Sequence, residues 1–392
     1  MTSTYDPRYR ELLARLAQIR KEKGMTQADL SRKVGFDQQP LLSKIETAQR
    51  RIDVVELLDI LKALDYKIED LLSDLGWMNK IEGDETSIAQ QPENGKEYQP
   101  IRLSEIQEGN DLKLSMTNGV SQKIVTLNSI KVSDFKAVES LVEILFTDLN
   151  NANPTHNNRE AIAKALESGI STLAEANPSD IYHHIIYRLY LRYYMKSNAK
   201  QSWVRAGGEA LELFLEKHYN AILAPFGIKF KWLKNKIDKS KAMEEIGISG
   251  KVGGSKLDIS LSVDHNGKEV IFGGIHVKAS LAERVSDDIP CSRAMMSRGF
   301  ASILVTFDAK SYPEKDLVNR GELGTITSPS DKRKYIEDHG DFSACFSYNT
   351  RTEESPLVTP SGKRIVKSVF GDKDVLPKYI VLLAQEYIKN LK

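Results

Sequence analysis

The first 75 residues carry apolar positions at three- and four-residue steps. In the first of five short segments, Leu12, Leu16 and Ile19 recur at the period of a one-sided helix. The segments are separated by helix-stopping residues such as Gly24. This pattern predicts an all-helical domain over residues 1–77.

The periodicity then stops. Residues 78–100 are rich in Glu, Gln, Asn and Gly, and such a composition buries too little apolar surface to stay folded without a partner. Residues 101–130 contain short alternating runs, "KLSMT" and "QKIVTLNSI", which are compatible with a small hairpin. We therefore expect a linker over residues 78–130, with or without that hairpin.

From residue 131 onward, helical periods alternate with strand periods. Several amphipathic helices precede two runs of period two, "SKLDISLSV" and "KEVIFGGIHVKASL", which are separated by the turn sequence "DHNGK". A further helix, the apolar strand "ASILVTFDA" and a final helix follow. This order predicts an α/β domain over residues 131–392, with a mixed central sheet flanked by helices.

Composition narrows the function mainly by exclusion. The 392 residues carry a formal net charge of +1, so no strong overall field indicates nucleic acid or membrane. The chain has no run of 18 apolar residues and no apolar signal core, which predicts a cytoplasmic protein without a membrane span. Cys291 and Cys345 match no zinc spacing. Neither H-E-x-x-H nor a G-x-x-x-x-G-K-[ST] phosphate loop occurs.

The segment "LAQIRKEKGMTQADLSRKVGFDQQPLLSKIETAQR" resembles the helix-turn-helix of the Cro/C1-type (XRE) family. This resemblance implies that the helix around residues 38–46 enters the major groove of DNA. The implied base readers are Gln38, Gln39, Ser43 and Lys44, and the implied phosphate contacts are Gln27, Arg50 and Arg51. Acidic residues match the basic ones in this segment, so a helical bundle used for protein contacts or dimerisation remains the alternative.

Two polar residues interrupt the apolar strands of the large domain. Asp258 lies within "LDI" and Lys278 within "HVK", on strands joined by one turn. A suitable register brings such side chains to neighbouring positions on one face of the sheet. A carboxylate there can hold Mg²⁺, and an ammonium can orient water and offset phosphate charge. The pair therefore favours metal-dependent phosphodiester hydrolysis.

This layout resembles the PD-(D/E)XK nuclease fold, in which an acid-x-lysine element follows an acid on the preceding strand. Here the slot two residues before the lysine is His276, where the family has Asp or Glu. CCGG-recognising restriction enzymes also lack this acid and import one from a helix. By that resemblance Glu209 is our first choice for the imported metal ligand, with Glu212 in reserve. His276 either orients water or touches phosphate, or is a packed strand residue.

The pair Glu283–Arg284 resembles the (D/E)R element of CCGG-type restriction enzymes, including the BsaWI group. The resemblance implies that the acid accepts from cytosine and the arginine grips guanine. Arg293 and Arg298 would serve phosphate or a further base. The family's catalytic acid often follows the lysine by more than ten residues. Ser292 and its neighbours offer none, and Asp287 and Asp288 come earlier, so the second metal ligand stays open.

Together these features predict a site-specific, magnesium-dependent double-stranded DNA endonuclease of type II, acting on a CCGG-containing palindrome. A two-fold site favours a symmetric homodimer. One alternative is an XRE-family transcriptional regulator with a non-catalytic ligand-binding or oligomerisation domain. Another is an antitoxin or phage-defence scaffold with an inactive nuclease fold.

Overall fold

The protein is built from two compact units, Met1–Glu97 and Tyr98–Lys392, each with its own hydrophobic core. The structure is a computed structural model. It describes residues 7–35, 40–47, 50, 52, 54–75, 101–117, 122–196, 199–249, 257–282, 285–309 and 318–391.

The N-terminal unit contains the five short helices that the periodicity predicts. They are α1 (Pro7–Glu22), α2 (Gln27–Val34), α3 (Pro40–Glu46), α4 (Val54–Ala63) and α5 (Ile68–Asp74). Thr26 caps α2 by accepting a hydrogen bond from the backbone N–H of Asp29, whose carboxylate accepts one from the backbone of Thr26 in return. Leu16, Ile19 and Leu30 are buried together in the core of this unit.

A small antiparallel sheet opens the larger unit. Its strands are β1 (Arg102–Glu108), β2 (Asp111–Thr117) and β3 (Gln122–Leu127), paired in that order. Leu112 and Leu127 are buried in the same core as Phe135 of the helix that follows. Residues 101–130, which we had assigned to the connector with a small hairpin, therefore form a three-stranded sheet that belongs to the larger unit.

Eight helical elements follow among the described residues of the larger unit. They are α6 (Val132–Asp148), α7 (Asn158–Thr172), α8 (Pro178–Asp180, a π-helical stretch Ile181–Ile186, and Tyr187–Tyr193), α9 (Ala199–Leu223), α10 (Lys236–Ile246), α11 (Val285–Met296), α12 (Asp331–Glu337) and α13 (Leu376–Asn390). A single 3₁₀ turn, Ala224–Phe226, ends α9. Within the described residues, no helix is long and apolar enough to cross a membrane.

A six-stranded sheet forms the centre of this unit. Its strands are β4 (Ile228–Trp232), β5 (Ile259–His265), β6 (Lys268–Lys278), β7 (Ala301–Thr306), β8 (Ala344–Ser347) and β9 (Ile365–Lys367), in that order. The first three strands are antiparallel, and β6 to β9 are parallel. On one face Ile275 packs in the main core with residues of α9 and α13, and on the other Leu304 packs with Ile336 of α12. The predicted mixed sheet flanked by helices is confirmed.

The hairpin of β5 and β6 sets the position of the two predicted strand residues. Its tip, Asn266 and Gly267, has left-handed φ angles of 57° and 78°, the backbone of a two-residue type I′ turn. The turn pairs His265 with Lys268, and a β-bulge at Phe272 then shifts the register by one residue, so that Ile259 pairs with Ile275. The start of β5 therefore lies beside the end of β6, where Lys278 pairs with Thr306 of β7.

Candidate active site

Asp258 lies one residue before β5, and sheet pairing extends to it. Its backbone N–H donates to the carbonyl of Ile275 at 3.2 Å. The residue is buried, at 7% exposure, and Oδ2 accepts a hydrogen bond from the backbone N–H of Val277 at 2.8 Å. The backbone of β6 thus holds the carboxylate beside the end of that strand, where Lys278 follows.

Lys278 links two carboxylates that are distant from each other in sequence. Its Nζ lies 3.3 Å from Oδ2 of Asp258 and 2.7 Å from Oδ2 of Asp288. Asp288 stands in the first turn of α11, where the helix dipole stabilises a negative charge. A helix that follows the lysine thus places a second acid against the ammonium of Lys278.

Two more charged groups approach Asp258 from the other side. Lys239 of α10 places its Nζ 3.4 Å from Oδ1 of Asp258. Glu212 of α9 accepts a hydrogen bond from Nε1 of Trp232 at 2.6 Å. The structure therefore brings together three carboxylates and two ammonium groups.

These five side chains line one cavity of about 800 Å³. Its wall also includes aromatic residues of α8 and α9, namely Tyr182, His183, Tyr187 and Trp203. The cavity is large enough for part of a nucleotide backbone and lies at the carboxyl end of β6.

The electrostatics of the site hold the pKa of Asp258 below its ordinary value and the pKa of Glu212 above its ordinary value. Burial raises the pKa of Asp258, but the ammonium groups of Lys278 and Lys239 outweigh burial and hold that pKa below its ordinary value. Burial lowers the pKa of Lys278, and the charges of Asp258 and Asp288 more than compensate, so its pKa is raised. Burial and the charge of Asp258 raise the pKa of Glu212 to about 7.

The donor set suits a hard divalent cation that is completed by its substrate. No group of three or more His, Cys, Asp or Glu side chains in the described residues is arranged to hold an ion without further ligands. Magnesium in phosphoryl-transfer sites uses one or two carboxylates and takes its remaining ligands from water and substrate phosphate. Asp258 with one neighbouring acid fits that requirement.

Glu209, our first choice for the imported acid, does not line the cavity. Its carboxylate is paired with Arg159 of α7 at 3.0 Å and with Arg205 one turn earlier at 3.4 Å. Glu212, the reserve, stands three residues further along α9 and lines the cavity. The geometry therefore favours Glu212, because its helical face is turned toward Asp258 while the face of Glu209 is turned toward two arginines.

His276 is fully buried and does not line the cavity. Nε2 lies 3.0 Å from the hydroxyl oxygen of Ser302, and Nδ1 lies 3.9 Å from Oδ2 of Asp288. The ring packs edge-on against Phe342. This position corrects the expectation that His276 touches water or phosphate directly, and agrees with the packed strand residue that we weighed against it.

The residues expected to contact DNA in the larger unit lie in different places. Arg298 precedes β7 and does not line the cavity of Asp258 and Lys278; it lines a different cavity together with Phe300 and Tyr387. Arg293 is exposed, and its Nε donates to Asp341 at 2.5 Å. Glu283 and Arg284, the expected base readers, lie outside the described residues.

In the N-terminal unit, several expected DNA contacts have partners within the unit. Nε2 of Gln27 donates to Glu46 at 2.7 Å, and the guanidinium of Arg50 donates twice to Glu56. Lys44 is exposed, and Ser43 is half-buried. The remaining expected contacts, Gln38, Gln39 and Arg51, lie outside the described residues.

Comparison with known proteins identifies both units. A family described as BsaWI restriction endonuclease type 2 matches residues 229–370, and a helix-turn-helix family matches residues 16–71. The type II restriction enzyme AgeI of Thalassovita gelatinovora is 48% identical over 237 residues, an alignment that covers 58% of this chain and 85% of that enzyme. The chain belongs to the type II restriction endonucleases.

Solved structures extend this comparison to the fold. The crystal structure of a specific AgeI–DNA complex is 41% identical with a TM-score of 0.65, and it matches 69% of this chain and 99% of that one. The BsaWI–DNA complex is 17% identical with a TM-score of 0.36, over 66% and 94% of the two chains. About a third of this restriction endonuclease therefore lies outside the match with the AgeI structure. The helix-turn-helix family matches residues 16–71 of this chain.

Two residues of the site were missed by reasoning from the sequence of this endonuclease. Asp288 lies ten residues after Lys278, close to the spacing that the family resemblance offered, but we set it aside as too early. Acidic residues are common in the first turn of a helix, so its position there was also unremarkable. Nothing in the sequence indicates that Lys239 belongs to the site, because only the packing of α10 beside β5 brings its side chain to Asp258.

Proposed function

We propose that this restriction endonuclease cleaves double-stranded DNA in a magnesium-dependent reaction at a CCGG-containing palindrome. The observation that supports the proposal most is the contact of Lys278 with both Asp258 and Asp288 inside a cavity at the carboxyl end of β6. These groups are the ones that phosphodiester hydrolysis requires. We also propose a cytoplasmic location, because a restriction endonuclease encounters double-stranded DNA in the cytoplasm.

In this proposal Asp258 is the central metal ligand and Glu212 is its partner across the cavity. When bound there, Mg²⁺ would stabilise the negative charge that develops on the phosphate and make a nucleophile available near neutral pH. Lys278 orients the attacking water and offsets phosphate charge, while Asp288 holds its ammonium in place. His276, between Ser302 and Asp288, positions Asp288 from behind.

Base recognition is assigned by resemblance to Glu283 and Arg284. They follow the segment that leaves β6, so the chain order connects the reacting centre directly to the proposed readers. A palindromic site and one reacting centre per chain require two chains for a double-strand cut. We therefore propose a symmetric homodimer on DNA, which sedimentation velocity with and without a palindromic duplex can measure.

The decisive experiment incubates the purified full-length chain with unmethylated phage DNA, once with Mg²⁺ and once with a chelator. We expect discrete fragments with Mg²⁺ and intact DNA with the chelator, and the sequenced fragment ends should share a CCGG core. A smear would indicate a non-specific nuclease. DNA that is bound but never cut would support the regulator that we weighed as the alternative.

For the helix-turn-helix we propose a docking role through Lys44, which is exposed on α3. A phosphate contact by this lysine would add a salt-dependent, sequence-independent contribution to binding. Lys44→Ala in the full chain should lower DNA affinity and reduce the slope of log K against log salt by about one. Lys62→Ala removes an exposed lysine from α4 of the same unit and should leave that slope unchanged.

A further inference from the structure

The two oxygens of Asp258 have different partners. Oδ2 accepts from the backbone of Val277 at 2.8 Å and lies 3.3 Å from the ammonium of Lys278, so β6 holds this oxygen on two sides. Oδ1 lies 3.4 Å from the ammonium of Lys239. The oxygen that remains for a metal ion is therefore the one that Lys239 contacts.

Lys239 also acts on the second proposed ligand. Glu212 lines the same cavity as Lys239, and the ammonium of Lys239 stabilises its ionised form. The ammonium of Lys239 interacts with the carboxylates of Asp258 and Glu212. It therefore occupies the region in which a cation shared by the two carboxylates would lie. Two like charges within a few ångströms repel each other, so the ammonium opposes the entry of a divalent ion into this region.

We propose that Lys239 is an exchangeable counter-ion of the metal site, which holds the place of Mg²⁺ on Asp258 until DNA is bound. The inference rests on the proposed function and adds to it an order of assembly. A DNA phosphate offers the ammonium of Lys239 another anion, so the lysine leaves Oδ1 when the duplex arrives, and the metal ion then takes its position.

The local structure suits such a movement. The start of α10 is anchored, because Oδ1 of Asn235 accepts hydrogen bonds from the backbone N–H groups of Ile237 and Asp238. The side chain of Lys239 is 23% exposed, against 10% for that of Asp258. A lysine is a point charge on a flexible stem, so its head group can turn from one anion to another while its backbone remains fixed.

The consequence is a linkage between the binding of metal and the binding of DNA. If Lys239 opposes metal binding only in the absence of DNA, then each ligand must raise the affinity of the protein for the other. Removing the ammonium should weaken that linkage, because the metal would no longer have to displace a cation from the DNA-free protein.

The test compares the full chain with Lys239→Met, which keeps the apolar stem and removes the charge. Mg²⁺ is titrated into the DNA-free proteins by calorimetry, and tryptophan fluorescence is recorded because Trp232 donates to Glu212. We expect Lys239→Met to bind Mg²⁺ about tenfold more tightly than the unmodified chain. Lys239→Arg retains the positive charge and should bind like the unmodified chain.

Two controls isolate the effect. Lys241→Met makes the same change of charge on the same helix at an exposed position that lines a different cavity, and should leave the affinity unchanged. Asp258→Ala should abolish the Mg²⁺ binding that the fluorescence of Trp232 reports. If Lys239→Met does not fold, Lys239→Gln replaces it in the same titration.

The DNA-bound state is tested by single-turnover cleavage at increasing Mg²⁺. The half-saturating Mg²⁺ concentration should differ by less than about threefold between the unmodified chain and Lys239→Met, although their DNA-free affinities differ about tenfold. Unchanged or weaker Mg²⁺ binding by DNA-free Lys239→Met would overturn the inference. A chain that binds Mg²⁺ as expected but never cuts DNA would reject the proposed function and leave the inference standing.

Discussion

Charged side chains are used differently in the two units of the molecule. In the helix-turn-helix unit, Arg20 is buried and pairs with Glu46 through two hydrogen bonds of 2.7 and 3.0 Å, and Arg50 pairs likewise with Glu56. In the endonuclease unit, the carboxylates of Glu212, Asp258 and Asp288 lie with two ammonium groups in one cavity, which Asp287 also lines.

This difference separates a structural ion pair from the proposed reacting centre. An ion pair in which each charge has its own partner needs no additional counter-ion, and it stabilises the packing of the helices that carry it. The cavity of the endonuclease unit instead is lined by more carboxylates than ammonium groups, and burial together with the charge of Asp258 raises the pKa of Glu212. A site with this imbalance favours the binding of a cation.

The largest effects are expected from the two side chains at the centre of the cavity. Asp258→Ala or Lys278→Ala should lower single-turnover cleavage by at least about a thousandfold, because each removes a charge that acts on the reacting phosphate. DNA binding, measured by gel retardation in the presence of a chelator, should persist. Cleavage within tenfold of the unmodified rate would contradict the assigned centre.

A smaller loss is expected from the acids that support this centre. Asp288→Asn and Glu212→Gln should each lower the cleavage rate by about a hundredfold, since each leaves Asp258 and Lys278 in place. Glu209→Gln is the matched control on the same helix as Glu212, and should change the rate by less than about threefold because its partners are Arg159 and Arg205. The reverse order of the two glutamates would restore Glu209 as the metal ligand.

Breaking the ion pair of Arg20 and Glu46 should lower the stability of the helix-turn-helix unit and leave DNA cleavage unchanged. Arg20→Met removes the positive charge that compensates the largely buried Glu46, which then keeps only the hydrogen bond from Gln27, and should destabilise that unit by about 3 kcal/mol. Hydrogen exchange of peptides from α1 to α3 measures the change, while Mg²⁺-dependent cleavage should continue. The exposed pair of Arg32 with Asp29 provides the control, and Arg32→Met should not alter exchange.

The smallest predicted effect concerns a buried carboxyl outside the cavity. Burial raises the pKa of Asp308 to about 7, so the folded protein retains a proton that the unfolded chain loses above its ordinary pKa near 4. Stability should therefore fall by about 2.5 kcal/mol as the pH rises from 5 to 8. Thermal unfolding of Asp308→Asn should lack this contribution, and an identical pH dependence in both proteins would argue against it.

The fold was largely accessible from pattern. Helical periodicity located the five helices of the first unit, and the alternation around "DHNGK" predicted the hairpin whose tip is Asn266–Gly267. The small sheet was underestimated, because its strands are short and its apolar residues complete their burial only against Phe135 of the following helix. A local pattern cannot show that kind of shared core.

The site was accessible only in part. Asp258 and Lys278 could be singled out because charged residues are unusual in buried strands. The choice between Glu209 and Glu212 depended on which face of α9 meets the sheet, and the choice of Asp288 depended on where α11 begins. Lys239 comes from a helix whose sequence resembles any solvated surface.

Alternation, helical period and turn chemistry were thus sufficient to determine the elements and two residues of the reacting centre, because these properties act between near neighbours in the chain. The packing of α9, α10 and α11 around the ends of β5 and β6 decided which acids and which second lysine meet there. Electrostatic interactions depend on distance in space, and residues as far apart in the chain as Glu212 and Asp288 come together only when the core is complete.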